Sequence, residues 1–136
     1  MTAIKIDESQ WPLLIVTPPE HYSDAEWEEH LHAVNRIALR RNQRFVLIND
    51  NSNAQVPNHA QRKMSAEMVT KNADDIFGLI AGVAMIHTSA LMRGAVTAIG
   101  WLLNGTADIN VRTFSHIEPA IKWAREQLKR QVRRAA

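Results

Sequence analysis

Six histidines and no cysteine bound the chemistry open to this chain. Without cysteine there are no disulfides, thiolate metal sites, iron–sulfur clusters or cysteine nucleophiles. That usage fits a reducing compartment. The histidines are His21, His30, His32, His59, His87 and His116. Residues two apart on a helix stand about 200° apart around its axis, so His30 and His32 cannot share a ligand. No H-E-x-x-H pair occurs, and no metal site is expected. The glycines at 78, 82, 94, 100 and 105 form no G-x-G-x-x-G or Walker-type phosphate loop. There is no G-x-S-x-G elbow. A trio of Ser52 or Ser89 with His87 and Asp50 can be drawn, as in any α/β protein of this size. No catalytic residue or cofactor is assigned, and an enzyme is the weaker expectation.

One cluster has a physical motive. In an open α/β sheet, ligands sit beyond the carboxyl ends of the strands. Two continuous apolar runs end at Asp50-Asn51-Ser52 and at His87-Thr88-Ser89. Free amides of the following helices point to the same side. Asp50, Ser52, His87, Ser89 and Arg93 are therefore expected on one rim. They serve there as caps with an Asp50–Arg93 pair, or as a binding or modification site.

The elements that position this rim follow from local patterning. Ala3–Asp7 and Leu13–Thr17 read as strands, the second bounded by Pro12, Pro18 and Pro19. Ser23-Asp24-Ala25-Glu26 is a capping box. Behind it Trp27, Leu31, Val34 and Ala38 mark one helical face, closed by Arg40, Arg41 and Asn42. Arg44–Asn49 reads as a strand buried on both faces, and Asp50–Pro57 as a polar loop. Asn58 caps the next helix, with Ala60, Met64 and Met68 inward. After a connector at Asp74–Gly78, Leu79–Ile86 is another buried strand. Thr88 or Ser89 caps a helix to about Asn104, ended by Gly105. Ile109–Phe114 is the last strand. Ser115-His116-Ile117-Glu118 is a second capping box, opening a helix whose inner face is Ile117, Ile121, Ala124 and Leu128.

The order ββαβαβαβα predicts an α/β fold: a mixed, mostly parallel sheet with flanking helices and an antiparallel opening pair. With 136 residues and 46% hydrophobic content, residues 1–136 make one domain with one core. Val46, Ile48, Val83, Met85, Leu31 and Ile121 are expected in it. Leu31→Ala should then cost about 2–5 kcal/mol. Neither a leader nor an apolar run of membrane-spanning length is apparent, so a cytoplasmic protein with no membrane span is expected.

The charge is uneven. Residues 122–136 hold six basic side chains against Glu126, and the other 121 hold ten basic against thirteen acidic. Cations near a helix C-terminus suit its dipole, so the basic end at 129–136 reads as solvated and free to fray. No nucleic-acid motif and no interleaved aromatic accompanies it, and no nucleic-acid partner is expected.

From Ala90 to Leu103 only Arg93 and Thr97 are polar. A surface helix normally carries a broad polar face. Arg93, Thr97, Gly100 and Asn104 fall on one narrow stripe beside Trp101, and glycine inside a helix costs about 1 kcal/mol against alanine. These five residues are the expected interface with a protein partner, most simply a second copy in a homodimer.

Two stretches carry a family resemblance: Ile86-His87-Thr88-Ser89-Ala90-Leu91-Met92-Arg93, and Val111-Arg112-Thr113-Phe114-Ser115-His116-Ile117-Glu118-Pro119-Ala120-Ile121-Lys122-Trp123. With the element order, they resemble the small bacterial SpoIIAA-like proteins. Those are related in fold to the STAS domains of anti-sigma-factor antagonists and more distantly to SEC14 domains. The resemblance implies a SpoIIAA-like fold and a non-enzymatic regulatory or protein-interaction module. In STAS signalling the matching strand ends in an Asp-Ser-Ser/Thr-Gly type segment whose hydroxyl, at the helix start, is phosphorylated. Here the strand ends Asn49-Asp50-Asn51-Ser52-Asn53, without glycine and with a longer loop. Ser52 is the candidate phosphorylation site. The SEC14 relation implies an alternative, a carrier of a small apolar or lipid-like ligand, for which Met64, Met68, Met85, Met92, Trp101 and Trp123 would supply the lining.

Overall fold

A computed structural model describes residues 4–55, 57–71, 77–87 and 110–135. Among them, strands β1 (Lys5–Asp7), β2 (Leu13–Thr17), β3 (Phe45–Asp50), β4 (Ile80–Ile86) and β5 (Val111–Phe114) form one sheet in that order. β1 pairs antiparallel with β2, and every later pairing is parallel. The described helices are α1 (Asp24–Arg41), α2 (His59–Lys71) and α3 (Ile117–Ala135). The element order thus gives the mixed α/β sheet it predicts, antiparallel edge included. The helix expected at 88–104, with its stop at Gly105, lies outside the described residues.

Local signals explain the boundaries. Ser23 Oγ accepts from the Glu26 amide at 3.1 Å, and Glu26 Oε1 accepts from the Ser23 amide at 3.0 Å. Two of the orphan donors at the start of α1 are thereby satisfied. Asn42 ends α1 in the left-handed region at φ 48°, its amide donating to the Ala38 carbonyl. Asparagine adopts that conformation more easily than most residues. α3 begins at Ile117, one residue after a Ser115 cap would start it.

Side chains alternate across a strand, so each central strand feeds two cores. Leu13, Ile15, Val46, Ile48, Ala84 and Ile86 lie under α3, which brings Ala120, Trp123 and Ala124. Leu14, Val16, Phe45 and Leu47 lie on the other face, with Trp27, Val34, Ile37 and Ala38 of α1. Gly82 of β4 sets how closely α3 approaches. A Cβ there would stand 2.9 Å from Cη2 of Trp123.

Of the expected core, Val46, Ile48 and Val83 are buried, while Met85, Leu31 and Ile121 are half-buried. Ile121 still packs against the α3 core. Leu31 stands at the edge of its helix face because α1 is rotated toward His30, which is only 5% exposed. A count of apolar spacing cannot see a histidine that buries. On α2, Ala60 is exposed and its neighbour Gln61 is buried instead. Gln61 turns inward because its amide group bonds both the helix cap and α1.

Candidate functional site

The carboxyl ends of β3 and β4 meet as expected. Asp50 pairs with Ile86 in register, and the Asn51 amide donates to the Ile86 carbonyl at 3.0 Å. The His87 amide donates to the Phe114 carbonyl at 3.0 Å. Each ladder therefore runs one residue past its strand, and Asn51 and His87 become neighbours on the rim. His87 is buried and Asp50 and Ser52 are half-buried. Asp50, Ser52 and His87 share the rim, whereas Ser89, Arg93, Thr97, Gly100, Trp101 and Asn104 lie outside the described residues.

The loop after β3 is tied down by its own side chains. Asp50 Oδ1 accepts from both the amide and the hydroxyl of Ser52, at 3.2 and 2.5 Å. This is an Asx-type turn, in which the short carboxylate replaces a backbone acceptor. The Ala54 amide donates back to the Asn51 carbonyl. Ser52 lies well before His59, the first residue of α2, so its hydroxyl is not at a helix start. Its proton is already directed to Asp50.

A second set of bonds joins this loop to the one that leads into α1. The Gln55 amide donates to the Glu20 carbonyl, Tyr22 Oη donates to the Gln55 carbonyl, and Gln55 Nε2 donates to the Tyr22 carbonyl. Burial pushes the Tyr22 phenol up to about 12. Behind the loops the starts of α1 and α2 are joined through one carboxylate. Asp24 Oδ1 accepts from Asn58 Nδ2 at 3.0 Å and from Gln61 Nε2 at 2.9 Å. Asn58 and Gln61 also exchange a cap, Oδ1 taking the Gln61 amide and Oε1 the Asn58 amide. Trp27 Nε1 donates to the Gln61 carbonyl and to Ser65 Oγ. Below it His30 donates from Nδ1 to the Trp27 carbonyl and meets the Trp27 ring edge-on at 4.5 Å. Burial pushes the His30 imidazole down to about 4.

Sequence reasoning missed Asp24, Gln55, Gln61 and His30 as parts of this end of the molecule. Gln61 had a signal, because Asn58-x-x-Gln61 matches the spacing of a capping box. Asp24 and Gln55 join elements more than thirty residues apart, and His30 is a buried polar ring, so none of the three leaves a local mark. Among the described residues, no group of three or more His, Cys, Asp or Glu side chains could hold a metal ion. No helix among them is long and apolar enough to cross a membrane. The rim offers a shaped, internally bonded surface, in which the Ser52 hydroxyl faces the Asp50 carboxylate.

No family model matches the chain, and no curated protein sequence matches it. Among solved structures it is similar to an uncharacterized protein from the DUF3478 family with a SpoIIAA-like fold, from Shewanella loihica PV-4. The two share 15% identity and a TM-score of 0.67, over 90% of this chain and 92% of that one. At that identity the likeness is one of fold. The SpoIIAA-like fold expected from the resemblance is the fold found.

Proposed function

We propose that this SpoIIAA-like domain is a non-enzymatic, STAS-like interaction module that regulates by binding and self-associates as a homodimer. The observation that carries this reading is the Asp50–Ser52 turn. Its polar groups are spent on holding the loop, and that loop is stitched to the entrance of α1. A preformed surface of this kind favours recognition, because little loop ordering is left to oppose binding. The self-association surface is the apolar stretch 90–104, with Arg93, Thr97, Gly100, Trp101 and Asn104 at the contact.

Regulation would enter at Ser52. A phosphate there removes the hydroxyl donor to Asp50 and sets about two negative charges beside a carboxylate. The turn would open, and the rim would change shape toward its partner. Hydrogen exchange tests the binding reading directly. Peptides spanning 90–104 should gain protection when the protein is concentrated, and Gly100→Leu should abolish that gain. Identical exchange at all concentrations, for wild type and variant alike, would count against the dimer. Phosphopeptide mapping that always finds Ser52 bare, with Ser52→Ala binding its partner normally, would remove the switch.

A further inference from the structure

The outer face of α3 carries charge that the fold does not use. Lys122, Arg125, Lys129 and Arg130 are all exposed. At 100° per residue, Lys122, Arg125 and Lys129 fall within an arc of about 60° that exposed Glu118 shares, and exposed Glu126 stands between them and Arg130, about 80° round the helix. The stripe is about 12 Å long. None of the four makes an ion pair among the described residues, whereas Arg40 and Arg41 of α1 both pair with Glu8. Arg112 of β5 is a further cation on the α3 side of the sheet. It is exposed, and its guanidinium lies over the Phe114 ring, which itself packs on Trp123 of α3.

The helix dipole does not account for these cations. Its effect fades within the last turn, and α3 runs on to Ala135 beyond all four. Packing does not account for them either, because α3 meets the sheet with Ala120, Trp123 and Ala124 on its opposite side. The exposed acids of the first half of α1, Asp24, Glu28 and Glu29, stand across the sheet from α3. Across its described exposed positions α3 thus carries four cations against the two carboxylates Glu118 and Glu126, and this excess of positive charge can approach an anionic surface.

Magnitudes choose the partner. Exposed ion pairs between two proteins contribute little each, so the acidic part of α1 on a second copy would hold this stripe weakly. An anionic bilayer gains about a fivefold increase in affinity for each cation near its surface. A duplex fits less well. Among the described residues, the exposed positions of α3 through Arg130 offer no aromatic ring to stack on bases and no amide to read their edges. The apolar side of α3 is already committed to the sheet, so the contact would be electrostatic without insertion.

We propose that the basic face of α3 docks this protein reversibly on an anionic lipid surface. The test is co-sedimentation with vesicles of equimolar phosphatidylglycerol and phosphatidylcholine, against vesicles of phosphatidylcholine alone. Wild type should pellet with the first and not the second. It should be released at about 1 M salt, where the screening length falls to about 3 Å. Lys122→Gln with Lys129→Gln should lower the affinity about 25-fold with an unchanged thermal melt. Lys122→Arg with Lys129→Arg should keep it. The proposal fails if wild type stays in solution with anionic vesicles at low salt. It also fails if the double Gln variant binds as well as wild type, or if short duplex DNA binds and vesicles do not.

Discussion

α1 and α3 cover opposite faces of one sheet by different means. α3 is held by apolar fit, with Ala120 and Ala124 against the strands and Trp123 over Gly82. α1 shares its cores with Trp27, Val34 and Ala38, but it also buries His30 and is tied to α2 through Asp24 and Trp27. Apolar fit depends on volume and is largely blind to pH. A buried imidazole and a shared carboxylate depend on protonation and on complete hydrogen bonding. The polar helix face is also the one that abuts the rim loops, so shape at the rim is set by hydrogen bonds rather than by packing.

The largest expected effect lies on the α3 side. Trp123→Ala should cost about 3–5 kcal/mol, read from urea unfolding, because it empties the space above Gly82 and removes the Phe114 contact. A cost under about 1 kcal/mol would mean that α3 is not held by this ring.

The next effect belongs to α1 and depends on pH. His30 titrates near 4 in the fold and near 6.5 when exposed. Its folded value is depressed, so the unfolded chain binds the extra proton first. Stability is therefore full above about pH 6.5 and falls as pH drops toward 4, by up to about 3 kcal/mol. His30→Gln should flatten that window, and a variant with the wild-type pH profile would assign the loss to other groups.

Asp24→Ala comes third. It strands the buried Gln61 amide and should cost about 1–3 kcal/mol. Hydrogen exchange should also quicken in the 51–58 loop, since the start of α2 loses its tie to α1. Unchanged exchange there would separate the helix network from the rim.

The smallest effect is Leu31→Ala, at about 1 kcal/mol, below the range for a fully buried leucine because this one is half-buried. A loss of several kcal/mol would restore Leu31 to the core and undo the rotation of α1 toward His30.

The same contrast decides what the sequence discloses. α3 is legible because its inner residues Ile117, Ile121, Ala124 and Leu128 are all apolar at helical spacing, and all pack on one core. The strands are legible for the same reason, and Ser23 marks the start of α1 by a bond only three residues long. His30 is misread because burial of a polar ring leaves no trace in periodicity. Asp24 with Gln61, and Tyr22 with Gln55, join residues brought together only by the finished sheet. At the candidate site, the rim position of Asp50, Ser52 and His87 follows from the strand ends. The turn that Asp50 makes with Ser52 does not, because aspartate two residues before serine has several conformations open to it.

Sedimentation velocity across micromolar concentrations tests the proposed association most directly. A concentration-dependent shift from monomer to dimer is expected, weakened by Arg93→Ala and by Gly100→Leu while each variant keeps the wild-type melting profile. A single monomeric boundary at every concentration, the same for wild type and both variants, would contradict it.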